Sequence, residues 1–105
     1  MVRRGEIYKV RFPDGKLRPG VIVSPDVRNR EGVNVILAGC TSQRLERVYP
    51  NEVLLYGSGL PVRTKVQADY LFTVRQFHLK SRIGAVPAPL IPALNDALRI
   101  SLDLG

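Results

Sequence analysis

The chain has 105 residues and carries 16 Lys and Arg against nine Asp and Glu, a net charge of +7. That length is one domain, residues 1–105, with room for a single core that buries roughly 65% of the extended-chain surface. The 45% hydrophobic content excludes a disordered chain, and no apolar run approaches the ~18 residues of a membrane span.

The first predicted element is "EIYKVRF", in which Tyr8, Val10 and Phe12 point one way and Lys9 and Arg11 the other. This alternation describes a half-buried strand with a basic outer face, ended by the turn signal "PDG" at 13–15. "GVIVS" and "VNVILAG" are short, β-branched apolar runs that read as strands covered on both faces, with the polar turn "PDVRNREG" between them. The basic loop "TSQRLERVYPNE" leads to a short strand near Val53 to Tyr56, and "GSG" then breaks the chain. In "VQADYLFTV" simple alternation places Val66, Ala68, Tyr70, Phe72 and Val74 on one face. "SRIGAV" closes the strand series. Pro87, Pro89 and Pro92 hold off a helix interior until about residue 92. Beyond them Leu94, Leu98 and Leu102 recur at helical spacing, with Gly105 as a stop. The expected fold is mainly β with a C-terminal helix, a small closed barrel.

The lone Cys40 ends a buried apolar strand; it cannot form an internal disulfide and suits a reducing compartment. One Cys and one His without nearby partners argue against a metal centre, and no cofactor motif is present. The start "MVRRGEIYKV" carries charge where a signal peptide would be apolar, so a cytoplasmic location with no membrane association is expected. The arginine-rich charge excess favours a polyanionic partner, nucleic acid or an acidic protein.

In order, "RRGEIYKVRF", "RPGVIVSP", "VNVILAGCTS", "LPVRTKVQADYLFTV" and "SRIGAV" resemble the MazF/PemK toxins of type II toxin–antitoxin systems. The resemblance runs from about Arg4 to Leu104, and its most specific pieces are the Arg-Pro before the second strand and the Thr-Ser after the third. It implies an SH3-like β-barrel, a homodimer, a cognate antitoxin, expected to be acidic, and metal-independent cleavage of single-stranded RNA. The ribose 2′-hydroxyl would attack its own phosphodiester to give a 2′,3′-cyclic phosphate and a 5′-hydroxyl, with Arg18 and Thr41 as the catalytic pair. Two features depart from many relatives: the loop "FPDGK" before Arg18 is short, and Asp69-Tyr70-Leu71-Phe72 stands where Asp-Gln-Ile-Arg is common.

Chemistry agrees with that pair. In-line attack at phosphorus concentrates negative charge on the non-bridging oxygens, which fixed donors stabilise. An arginine supplies several N–H groups and a threonine hydroxyl adds one more. Further RNA contacts are expected from Lys16, beside Arg18, and from Ser42, Gln43 and Arg44 in the following loop, unless that loop is merely solvated. Gln67 and Tyr70 could read or stack a base, although Tyr70 shares its face with core residues. Asp14 either stands in for an acidic loop residue or simply makes an Asp-Gly turn, and the lone His78 has no second histidine to work with. Two other functions fit the same barrel: a gyrase-poisoning toxin of the CcdB type, which uses an aromatic C-terminal tail where this chain ends "SLDLG", and a non-catalytic RNA-binding barrel.

Overall fold

A computed structural model describes residues 1–105. Its strands are Glu6–Arg11 (β1), Leu17–Ile22 (β2), Asn34–Thr41 (β3), Glu52–Leu54 (β4), Lys65–Arg75 (β5) and Arg82–Ala85 (β6). A one-turn helix, Asp26–Asn29 (α1), follows β2, and the C-terminal helix is Ile91–Leu102 (α2). The six strands form one antiparallel sheet in the order β4-β5-β3-β2-β1-β6. The sheet curls into a half-barrel. Its edges β4 and β6 share no ladder, so the barrel expected from sequence is completed only by a loop, where the Ala85 amide donates to the Ser58 carbonyl at 2.9 Å.

Both faces of the sheet are buried, as the continuous apolar runs predict. Ile7, Val21, Ala38, Cys40 and Val66 lie on one face and pack with Leu94 and Ala97 of α2. Val10, Phe12, Ile22, Val35 and Leu37 lie on the other, with Tyr70, Phe72 and Val74 against them. The expected single face of β5 is therefore divided. Ala38 pairs with Leu71 but Gly39 pairs with Gln67, a register shift of three residues. An odd shift moves the side chains to the opposite face, so Val66 and Ala68 join the helix side while Tyr70, Phe72 and Val74 join the aromatic side.

Smaller differences have local causes. The 25–32 segment contains α1 because Asn29 is buried, where its side-chain amide donates to the Ser24 carbonyl at 3.0 Å and its side-chain oxygen accepts from the Ser24 hydroxyl at 2.6 Å. Helix α2 stops at Asp103 rather than Gly105: Asp103 turns left-handed at φ 55°, and the Leu104 amide donates to the Arg99 carbonyl. Leu102 sits in the last turn of α2 and is exposed, so the expected leucine stripe covers the core only as far as Leu98.

Candidate active site and the cleft beside it

The β2–β3 ladder pairs Gly20 with Gly39 and stops there. Pro19, next along β2, has no amide hydrogen to extend it. Continuing the register by two residues sets Arg18 opposite Thr41 on one face. Thr41 is in turn the β5 partner of Lys65, so Arg18, Thr41 and Lys65 form a row across three strands. Arg18 and Thr41 line an open cleft of about 410 Å³ together with Lys16, Ser42 and Gln43, with no carboxylate among its lining residues. The Gln43 amide donates to Thr41 Oγ1 at 3.1 Å, which leaves the hydroxyl hydrogen free to point into the cleft.

Two contacts hold the Arg18 guanidinium. It lies over the Phe12 ring, 5.2 Å from the centroid, within cation–π range, and its Nη2 donates to Asp14 Oδ2 at 2.6 Å. The other Asp14 oxygen accepts from the Lys16 amide at 2.9 Å, which shapes the short β1–β2 turn together with Gly15 at φ 87°. Asp14 thus serves both as turn former and as an anion beside Arg18. Phe12 is 3% exposed and packs against Phe72 and Tyr70 at centroid distances of 4.7 and 5.2 Å. It can lie there because Gly39 has no side chain: a Cβ on Gly39 would meet Phe12 Cε2 at 2.8 Å.

Beyond Thr41 the loop 42–51 encloses a second cleft of about 580 Å³, which shares Thr41 and Gln43 with the first and adds Arg44, Arg47, Gln67 and Asp69. Lys65 forms its floor. Its Nζ is buried and donates to the Arg44 carbonyl, the Arg47 carbonyl and Glu52 Oε1, each at 2.9 Å. Burial alone would raise the Glu52 carboxyl. The Tyr49 amide, the Lys65 ammonium and Gln67 outweigh burial and hold Glu52 below the usual carboxylate range. Arg44 takes a left-handed φ of 55°, uncommon for a residue with a long side chain. The Cys40 thiol, one residue from Thr41, faces the core, where burial pushes it up to about 12 and makes it unreactive. No three His, Cys, Asp or Glu side chains come together as a metal-binding group.

The PemK-like, MazF-like toxins of type II toxin–antitoxin systems match residues 3–102. The chain belongs to that family. It is 35% identical over 116 residues to endoribonuclease MazF9 of Mycobacterium tuberculosis, covering 99% of this chain and 98% of the relative. Among solved structures, an endoribonuclease in complex with its cognate antitoxin from a mycobacterial species superposes with a TM-score of 0.88 at 28% identity, covering 100% of this chain and 98% of that one. Mycobacterium tuberculosis toxin MazF-mt6 gives a TM-score of 0.84 at 28% identity, covering 95% of this chain and 98% of that one.

Within this toxin fold the residues singled out from sequence fall into four places. Arg18, Thr41, Lys16, Ser42 and Gln43 share the first cleft, while Arg44 and Gln67 line the second. Tyr70 lines neither; it packs edge-on against Phe12, the ring beneath Arg18, and against Phe72. His78 stands in a separate cleft with Arg11, Phe72 and Lys80. The sequence reading missed Lys65, Arg47 and Asp69. Lys65 carried one signal, a lysine opening a strand whose neighbour Val66 is fully buried. Its acceptors lie 13 to 21 residues away, so no local pattern reveals them.

Proposed function

We propose that this chain is an endoribonuclease toxin that cleaves single-stranded RNA without a metal, using Arg18 and Thr41. The observation that supports the reading is their shared cleft: Arg18 and Thr41 line one opening with Lys16 and without a carboxylate among its lining residues. A phosphodiester seated there would have its non-bridging oxygens beside Arg18. The adjacent ribose 2′-oxygen attacks phosphorus and gives up its proton; the bond to the 5′-oxygen breaks, and that oxygen takes a proton. The products are a 2′,3′-cyclic phosphate and a 5′-hydroxyl. The Arg18 guanidinium is a planar cation with several N–H donors, so its role is to stabilise the charge growing on phosphorus. Thr41 donates its free hydroxyl hydrogen to the same oxygens.

The two clefts divide recognition. Lys16 and Arg18 suit a phosphate, whereas the second cleft mixes Arg44 and Arg47 with Gln43, Gln67 and Asp69, donors and acceptors that suit base edges. Removing one preorganised donor commonly costs roughly 10²–10³ in rate. Arg18→Ala and Thr41→Ala should each lose at least that while keeping the fold, and wild-type cleavage should persist in EDTA. Near-normal cleavage by either variant, or loss of activity in EDTA, would reject the mechanism.

We further infer a cytoplasmic homodimer neutralised by a cognate antitoxin. No helix is long and apolar enough to cross a membrane, the lone thiol needs no oxidising compartment, and a structurally similar endoribonuclease is seen with its cognate antitoxin. Sedimentation at micromolar concentration should report twice the 11.7 kDa chain mass; a fully active monomer would overturn the dimer. The +7 charge favours an acidic antitoxin segment lying in the RNA groove. Titrating Thr41→Ala protein with RNA should show competition, and a ternary complex with unchanged RNA affinity would place the inhibitor elsewhere.

A further inference from the structure

The loop 42–51 leaves β3 at Thr41 and returns at Glu52, the first residue of β4. Between those points its backbone makes few bonds of its own: the Glu52 amide donates to the Tyr49 carbonyl, and the Ala68 amide donates to the Asn51 carbonyl. What gathers it is the Lys65–Glu52 pair. Lys65 has three ammonium hydrogens, and each has a fixed acceptor: two loop carbonyls and Glu52. Glu52 Oε1 also accepts from the Tyr49 amide at 3.0 Å. Three loop backbone groups are therefore tied to one ion pair whose side chains are 3% and 8% exposed.

That pair sits where it governs the second cleft. Lys65 pairs with Thr41 in the β3–β5 ladder and Glu52 pairs with Gln67 in the β4–β5 ladder, so it joins the strand ends from which the loop departs and to which it returns. The bond to the Arg44 carbonyl falls on the residue with the left-handed φ of 55°, a conformation that persists only where its surroundings enforce it. We propose that Lys65 and Glu52 are positioning residues that fix the curvature of this loop, and so determine which RNA sequence the cleft accepts, without taking part in bond breaking. The proposal rests on the reading of the cleft as an RNA site. A buried pair is a costly way to gain stability, since an apolar pair of similar volume often does as well. Fixing one loop geometry is the role its bonds describe.

The test uses two variants. Lys65→Met removes the three bonds but leaves Glu52 buried without a partner; Lys65→Met with Glu52→Gln removes both charges and so preserves the fold if the single variant does not. Hydrogen exchange of amides 42–49 without RNA reads the loop directly, and should accelerate in both variants while the β1–β2–β3 amides stay protected. Cleavage of a randomised RNA pool should broaden in sequence, with KM for the preferred site rising about tenfold or more and kcat changing by less than about threefold. Unchanged loop exchange, or an unchanged cleavage pattern and KM, would overturn the proposal, as would kcat falling as far as KM rises. A wild-type protein that cuts no RNA yet shows the expected exchange difference would refute the nuclease reading and the specificity claim, leaving the loop tether standing.

Discussion

Replacing Gly39 with alanine should damage the active site through a residue that never touches substrate. Gly39 has no positive φ, so alanine fits its backbone; the conflict is with what lies above it. The new Cβ would stand 2.8 Å from Phe12 Cε2, 3.2 Å from Phe12 Cζ and 3.3 Å from Tyr70 Cγ. Phe12 is wedged between Tyr70 and Phe72 and cannot yield freely. Overpacking of this kind costs about 1–3 kcal/mol. The lower backbone freedom of the unfolded chain returns about 0.4–1 kcal/mol, which leaves a net loss of roughly 1–2 kcal/mol. For a domain of this size the melting temperature should fall by about 4 °C or more. The displaced ring is also the platform beneath Arg18, so cleavage should drop roughly tenfold or more under conditions where the variant is fully folded. Gly20→Ala is the control: its Cβ would meet Leu37 Cδ2 at 2.9 Å and Val10 Cγ1 at 3.2 Å, with no Phe12 atom among its nearest contacts. It should lose comparable stability and keep its rate. Denaturant midpoints and single-turnover cleavage of both variants decide the matter. A Gly39→Ala protein with wild-type rate and stability, or equal rate losses in the two variants, would show that the Phe12 ring does not hold Arg18 for cleavage.

Asp14→Asn should change stability by less than about 1 kcal/mol, because its pair with Arg18 is more than a third exposed on both sides; it should tighten RNA binding in a Thr41→Ala background by removing an anion that competes for Arg18, as fluorescence anisotropy would show. Cys40 should resist thiol reagents in the native protein and react fully in urea, since burial raises its pKa to about 12. Glu52 is held below its usual value of 4.5, so its contribution to stability is complete above that pH and disappears as pH falls through the lowered folded value. Urea midpoints between pH 7 and pH 3 should therefore decline less steeply in Lys65→Met with Glu52→Gln than in the wild type.

The strands were legible where burial imposes a pattern. Val21 and Ile22 face opposite cores, and a run apolar at every position announces that directly. The division of β5 was not legible, because "VQADYLFTV" alternates without interruption and nothing within it marks the shift between Ala38 and Gly39 on the partner strand. Leu102 kept helical spacing, but α2 extends past the surface that Leu94 and Ala97 cover. Arg18 stands out because an arginine before Pro19 opens an otherwise apolar strand, but its expected role came from the ordered motifs that resemble the MazF/PemK toxins. That it shares a cleft with Thr41 depends on strand register, which a single sequence leaves open. The Phe12 support could not be read at all, since it depends on a missing side chain in another strand. The buried Lys65 was hidden for the same reason: its acceptors come from a loop that sequence describes only as basic and polar.

In the proposed cleavage the attacking atom is the ribose 2′-oxygen. An RNA oligonucleotide carrying the preferred site, and its twin with a single 2′-deoxy substitution 5′ to the scissile phosphate, should be incubated with the wild-type protein in EDTA and the termini identified by mass spectrometry. The all-ribose strand should yield a 2′,3′-cyclic phosphate and a 5′-hydroxyl, and the substituted strand should bind but stay intact. Cleavage of the 2′-deoxy strand, or a 5′-phosphate product, would contradict that mechanism.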